Sequence, residues 1–162
     1  MKDGKIESRL EAVRITERLW YWLSLEDGRK KEDWPRWSEY GSMINNCPCC
    51  EYSFAIAKET GVGSCSNCPL AGKWSLSGER LADECETHGS PYSDWKWTKD
   101  NARYARTIYL LARDERLRLL KIEEAKELEI AKKLKEETKK FLLPEFTPIT
   151  ITLENEEEAH AL

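Results

Sequence analysis

Apolar residues recur at three- and four-residue steps near the N-terminus, which is the period of an amphipathic helix. Within residues 5–25 the recurring positions are Ile6, Leu10, Val13, Trp20 and Leu23. Residues 19–23 are apolar all round, so this end of the helix should be buried on more than one side. Gly28 is suited to the left-handed conformation that follows a helix. Residues 1–28 are therefore predicted to form an N-terminal amphipathic helix.

A second long pattern runs from about residue 100 to residue 143, without a glycine or a proline. Ala, Leu, Glu, Lys and Arg make up most of it, which predicts one long charged helix over residues 99–143, ending at Pro144. Its first turns carry an apolar stripe that should face the rest of the protein, namely Tyr104, Ile108 and Leu111. A narrower seam follows, interrupted by Glu124: Leu117, Leu120, Leu128, Ala131, Leu134, Thr138 and Phe141.

This seam has two interpretations. It is either the side of the helix that folds back on the N-terminal helix, or a coiled-coil arm that dimerises or docks a partner. Pairs of opposite charge four residues apart, such as Glu129 and Lys133, support an exposed opposite face. Because the seam is short and imperfect, strict heptads are not predicted.

The last segment, residues 144–162, is predicted to be a short strand followed by an acidic tail. Residues 149–153 alternate between apolar side chains and threonine, which is the period of a strand. Such a strand would add to a sheet within the protein or to the edge of a partner's sheet. The fold class is therefore mainly α, with a long C-terminal helix and a short terminal strand.

Residues 29–98 form an aromatic-rich segment that leads into a cysteine module. Between residues 47 and 98 there are five glycines and three prolines, so turns should predominate and any helix or strand should be short. A module of this size buries too little apolar surface to be stable alone, which is a physical reason for a metal. We expect an irregular, zinc-stapled module similar to a zinc ribbon or knuckle.

Three pairs of metal-binding side chains occur in this module at a spacing of three residues: Cys47 and Cys50, Cys65 and Cys68, and Cys85 and His88. A tight turn between two cysteines directs both sulfurs at one point, and two such turns complete a tetrahedron of thiolates around zinc. The simplest closed site uses the first two pairs, Cys47, Cys50, Cys65 and Cys68. Cys85 and His88 are the substitute ligands, of which Cys85 is preferred.

Other uses of the six cysteines stay open, including a disulfide framework, an iron–sulfur cluster and a binuclear thiolate cluster. The first 25 residues alternate charge with hydrophobicity and contain no unbroken apolar run as long as that of a secretory signal. We therefore expect a reducing compartment, in which thiols bind metal more readily than they pair. Cys49 cannot easily reach the same ion as its neighbour Cys50, so it is expected to be a small buried side chain.

Charge is distributed unevenly along the 162 residues, whose formal net charge is −4. Residues 144–162 contain five glutamates and neither Lys nor Arg, and removing those five negative charges leaves +1 on the remainder. A body so close to neutral shows no general attraction to nucleic acid. No run of about 20 apolar residues is present, so a membrane span is not expected.

The cysteine module resembles a recurring group of small, mostly uncharacterised proteins from tailed bacteriophages. The resemblance covers roughly residues 45–97 and rests on Cys47, Pro48, Cys50, Cys65, Cys68, Pro69, Leu70, Cys85, Ser90, Pro91, Tyr92 and Trp95. It implies a viral origin, a metal-binding module and action in the host cytoplasm, but no mechanism. Cys49 and the spacing from Cys85 to His88 are departures from the group's pattern.

An enzyme is not expected. Four thiolates close the coordination sphere of zinc, whereas a catalytic zinc keeps one position open. The His-x-Glu motif of a zinc deaminase does not occur in the sequence, and neither does the lysine-containing loop that binds phosphates.

The preferred function is binding to a host or phage protein, with a second copy of the chain as a further partner through the long helix. Seven tryptophans are consistent with an interface, although they also fill small cores. The alternative is single-stranded nucleic acid, because cations follow the aromatic residues 92–97: Lys96, Lys99, Arg103 and Arg106. Acidic residues around the cysteines argue against that alternative.

Overall fold

The computed structural model describes residues 6–40, 43, 47–63, 65–74 and 84–142. In these residues the α-helices are α1 (Arg9–Leu23), α2 (Trp37–Tyr40), α3 (Pro48–Thr60), α4 (Pro91–Trp97) and α5 (Ala102–Leu142). Short 3-10 turns occur at Lys31–Asp33 and Cys65–Asn67, and no strand occurs among the described residues. The prediction of a mainly helical protein is confirmed. The strand predicted at 149–153 lies outside the described residues.

Helix α1 begins after Ser8, whose hydroxyl accepts a hydrogen bond from the Glu11 backbone N–H at 3.1 Å and so caps the helix. The predicted inner face is buried at Val13, Trp20 and Leu23. Ile6 is also buried but precedes the helix, so the start predicted at residue 5 was early. The local signal for the start is Ser8, followed three residues later by an acid.

Helix α3 differs from the prediction of short elements, because it has 13 residues. Pro48 occupies its first turn, where the missing N–H breaks no hydrogen bond. Gly61 ends it with φ of 72°, a left-handed conformation, and its N–H donates to the Ala57 carbonyl at 2.9 Å. The helix packs against α1. Pro48 was interpreted as part of a turn, whereas it marks a helix start.

Helix α5 is continuous over Ala102–Leu142, which confirms the long helix. Its buried side is formed by Ala105, Ile108, Ala112 and Glu115, while the predicted stripe residues Tyr104 and Leu111 are half-buried. The side chains of α1 and α5 meet at the Arg116–Glu17 ion pair. Small alanines allow close packing, which explains why the buried stripe is centred on them.

The chain divides into two compact units, Met1–Glu123 and Glu124–Leu162. The first contains the core, whose fully or nearly fully buried residues include Val13, Leu19, Trp20, Leu23, Cys49, Leu70, Trp74, Ala105 and Ile108. The described part of the second unit is the end of α5, where every described side chain is exposed. No described helix combines the length and apolarity that crossing a membrane requires.

Candidate metal centre

The first turn of α3 carries two of the predicted zinc ligands. Cys47 is the residue before the helix, with extended backbone, and Cys50 lies one turn further on. The Glu51 N–H donates to the Cys47 carbonyl at 3.0 Å, which fixes this turn. Residues three apart at a helix start lie on one side, so both sulfurs face the same region. The predicted pairing of Cys47 with Cys50 is therefore built by a helix start instead of an isolated turn.

Cys85 joins this pair. Hydrogen bonding with both Cys47 and Cys85 acts on the pKa of the Cys50 thiol, so the three thiols are neighbours. The hydrogen bond with Cys50, together with burial, raises the pKa of Cys47 well above its ordinary value. The contact with Cys47 lowers the pKa of Cys50, but Cys85 and burial outweigh it and raise that pKa to about 12. Without a cation the thiols of Cys47 and Cys50 therefore stay protonated at neutral pH.

Cys49 faces away from this group, toward α1. Its Sγ lies 3.1 Å from the Thr16 hydroxyl and is fully buried, as expected for a small core side chain. It is also a hydrogen-bonding partner of Cys68, and this contact lowers the pKa of Cys68 and raises that of Cys49. Cys68 is half-buried. Cys49 therefore connects the α1–α3 contact with the second cysteine pair.

The other two predicted ligands are on the surface. Cys65 is exposed in the turn Cys65–Asn67, and its carbonyl accepts a hydrogen bond from the Cys68 N–H at 3.1 Å. His88 is exposed in the turns between Cys85 and α4. The preference for Cys85 over His88 as a substitute ligand therefore agrees with burial. Cys65 is also more exposed than the half-buried thiols of Cys47, Cys50, Cys68 and Cys85.

A buried lysine, whose position follows from no local pattern in the sequence, lies beside the thiols. Lys31 is only 4 % exposed, and its ammonium is 4.6 to 5.4 Å from the ring centres of Trp20, Tyr92 and Trp95. Burial lowers its pKa, while the neighbouring thiols of Cys47, Cys50 and Cys85 act in the opposite direction. A buried ammonium is stable only beside compensating negative charge or ring faces.

The aromatic cage of Lys31, formed by Trp20, Tyr92 and Trp95, comes from two helices. Trp20 and Trp95 meet edge to face at 5.0 Å, and Tyr92 is stacked on Trp95 at 6.0 Å. The Trp95 indole N–H is buried and has no hydrogen-bond acceptor within the described parts of the chain. Three rings and a donor without an acceptor thus surround a cation next to the cysteines.

In the described residues no three Cys, His, Asp or Glu side chains are arranged as a metal-ligand group. The thiols instead form two hydrogen-bonded sets, Cys47–Cys50–Cys85 and Cys49–Cys68. The residue types fit zinc, because four thiolates are a common ligand set for this ion. To bind zinc, these thiols would have to lose their protons and replace the hydrogen bonds between them by bonds to the metal.

A buried carboxylate fastens the second cysteine pair to the helices. Glu115 is fully buried and accepts hydrogen bonds from Arg9 at 3.2 Å and Arg118 at 2.7 Å, and it also pairs with Lys73. Burial would raise the pKa of Glu115, but the hydrogen bonds from Arg118 and Lys73 lower it to about 2. Arg9 also donates to the Pro69 carbonyl at 3.2 Å. The segment after Cys68 is thus tied to α1 and α5.

Sequence reasoning missed Lys31 and Glu115 for different reasons. Glu115 was detectable, because it occupies the next step of the buried series Ala105, Ile108 and Ala112. An acid in such a series indicates buried cations nearby. Lys31 gives no comparable signal, since its neighbours come from α1 and α4, far away in the sequence.

No protein family, curated protein or solved structure was found to match this chain.

Proposed function

We propose that the protein binds another protein, and that its cysteine segment is held together by a structural zinc ion. The observation that carries the binding function is the row of exposed apolar side chains along α5. Leu128 and Leu134 are each 58 % exposed and Phe141 is 88 % exposed. Large exposed side chains on one helix are typical of a surface that a partner covers.

Zinc is supported by the charge arrangement around the thiols. Zinc with four thiolates has a net charge of −2, which is costly to bury without a nearby cation. Lys31 supplies that cation beside Cys47, Cys50 and Cys85. In a metal-free site of neutral thiols the same ammonium would have no anionic counterpart among these cysteines.

The arrangement of burial favours one change in the ligand set. We propose Cys47, Cys50, Cys68 and Cys85 as ligands, with the exposed Cys65 replaced by Cys85. The charge of Cys68 acts on Cys50, and the charge of Cys47 acts on Cys68, so these three thiols are neighbours. The Trp95 indole N–H, buried without an acceptor in the described residues, suits a thiolate as acceptor.

Single substitutions distinguish the ligand set that includes Cys65 from the set that includes Cys85. Cys85→Ser should lower the bound zinc from about one equivalent to near zero, whereas Cys65→Ser should retain it, as measured by native mass spectrometry of freshly reduced protein. Cys49→Ser is the matched control for Cys50→Ser, because the two residues are adjacent but only Cys50 is a proposed ligand. Loss of zinc from Cys65→Ser but not from Cys85→Ser would instead support Cys47, Cys50, Cys65 and Cys68 as the ligands. Metal-free wild type would reject zinc altogether.

The resemblance to phage proteins extends this proposal to a viral accessory protein that acts in the host cytoplasm on a host or phage protein. Its partner should be captured by the purified protein from lysate of an infected host. Leu128→Ser and Leu134→Ser should then reduce capture, while charge reversals at Arg103 and Arg106 should leave it mostly intact. The leucines are exposed, so these changes test recognition without removing core contacts.

A second function, binding of single-stranded nucleic acid, is favoured by one cavity in the first unit. The cavity has a volume of ≈ 370 Å³, and its lining includes Lys30, Lys31, Lys96, Tyr92 and Trp95. Cations beside aromatic rings suit stacked bases and phosphates. Lys96 is partly neutralised by Glu86 at 3.8 Å, which weakens the case. Fluorescence anisotropy with a single-stranded oligonucleotide at two salt concentrations tests it, because phosphate contacts weaken steeply with salt.

A further inference from the structure

Three residues near the end of α5 form a small apolar surface, which we name the leucine face: Leu128, Ala131 and Leu134. Steps of three residues on an α-helix place the two leucines about 60° to either side of Ala131. All three side chains are exposed. The leucine face therefore presents apolar area that no described residue covers.

Charges around the leucine face have a regular arrangement. Acids predominate before Ala131 and lysines predominate after it, and positions equally far from Ala131 carry opposite charges: Glu127 and Lys135, Glu129 and Lys133, and Lys126 and Glu136. Glu127 and Lys135 lie at the two ends of the leucine face along the helix, about 40° from its centre, whereas Glu129 lies about 160° away. The first pair can meet a partner across the face, and Glu129 cannot.

The ion pairs within α5 agree with this difference between charges near the leucine face and charges on the far side. Glu129 pairs with Lys133 on the far side at 2.7 Å. Neither Glu127 nor Lys135 forms an ion pair with another described residue. Glu127 and Lys135 are thus available for an intermolecular contact.

We infer that two copies of the chain pair through the leucine face in antiparallel orientation, with Ala131 at the two-fold axis. This inference rests on the proposed function of α5 as a binding surface and names the partner as a second copy. Leu128 then lies opposite Leu134 of the second copy, and Glu127 lies opposite its Lys135. A parallel pair in register would place the acidic segments together and the basic segments together, which is unfavourable.

The antiparallel arrangement predicts how charge changes act. In Glu127→Lys two ion pairs become two like-charge contacts across the dimer, so the dissociation constant should rise about tenfold. Lys135→Glu should have a similar effect. A mixture of the two variants should regain wild-type affinity as a heterodimer, since both ion pairs are then restored, one of them with its signs exchanged. Added salt should weaken the wild-type dimer because the pairs are exposed.

The experiment is sedimentation equilibrium of the full chain over a range of concentrations, with helix content checked by circular dichroism. Glu129→Lys is the matched control, because it makes the same chemical change on the far side of α5 and should leave the dissociation constant within about twofold. Wild-type dimerisation, weakening by each flanking variant and recovery in the mixture would support the inference.

Three results would overturn it: a wild-type monomer at all concentrations, a dimer indifferent to Glu127→Lys, or a mixture without recovery. None of these bears on capture of a different protein. A monomeric chain that still loses its partner with Leu128→Ser and Leu134→Ser would overturn the antiparallel pair and leave the proposed function standing. A chain that dimerises in this way but captures no other protein would leave the antiparallel pair standing and overturn the proposed function.

Discussion

Replacing Glu115 by glutamine tests how strongly one buried carboxylate stabilises the first unit. The side chain is fully buried, and its partners Arg9, Lys73 and Arg118 are one third to one half exposed. Its pKa is lowered from 4.5 to about 2, a difference that corresponds to about 3 kcal/mol favouring the charged form. Screening by solvent around the exposed partners reduces the contribution to stability to about 2 kcal/mol.

Glu115→Gln should therefore lower the free energy of unfolding at pH 7 by about 2 kcal/mol. Because the folded-state pKa is depressed, the stabilisation is fully present above about pH 4.5 and is lost as the pH falls toward 2. The difference between wild type and variant should shrink over that interval. Effects that both proteins share, such as acid protonation of thiolates, cancel in this difference. Urea denaturation followed by circular dichroism at several pH values measures it.

Asp114→Asn is the matched control, because it removes the neighbouring carboxylate from an exposed pair. Asp114 is 2.9 Å from Arg113, and both side chains are well exposed. Its loss should cost at most about 0.5 kcal/mol. Equal losses in the two variants, or a difference for Glu115→Gln that does not vary with pH, would refute the reasoning.

Three further substitutions, one of them with a matched control, have definite outcomes. Gly61→Ala should destabilise α3 by about 1 kcal/mol because of the left-handed backbone, and Gly63→Ala should be nearly neutral, as compared by thermal denaturation. Lys31→Met should speed zinc release to a chromogenic chelator, because the buried cation that offsets the negative charge of the thiolates is lost. Thr16→Val removes the 3.1 Å contact with Cys49 and should cost about 1 kcal/mol in urea denaturation, with zinc content unchanged.

The long periodic elements were predictable because their signals are local. The inner face of α1 and the uninterrupted α5 both follow from spacing and from the residues that helices favour. The Glu129–Lys133 pair is likewise set within one helix and is found at 2.7 Å. In such cases the sequence neighbours of a residue are also its spatial neighbours.

The cysteine segment was harder because its contacts come from distant parts of the chain. Glycine and proline content indicated turns, but Pro48 begins a 13-residue helix and Gly61 ends it. Cys85 reaches Cys50 through tertiary packing, which no spacing rule determines. Trp95 packs on Trp20 because α4 turns it inward, while the same helix leaves Trp97 exposed. The choice among ligands therefore depends on the folded arrangement.

The ion pairs of Glu115 form late in synthesis, because Glu115 follows its partners Lys73 and Arg9 in the sequence. Lys73 precedes its carboxylate by 42 positions, and Arg9 precedes it by 106. At about 5–20 residues per second, a ribosome needs several seconds after adding Lys73 before Glu115 exists. When that interval begins, five of the six cysteines are already synthesised and Cys85 follows 12 residues later, while the carboxylate that holds the segment after Cys68 is still missing. A nascent chain therefore meets metal ions and oxidants with these thiols before its own fold can shield them.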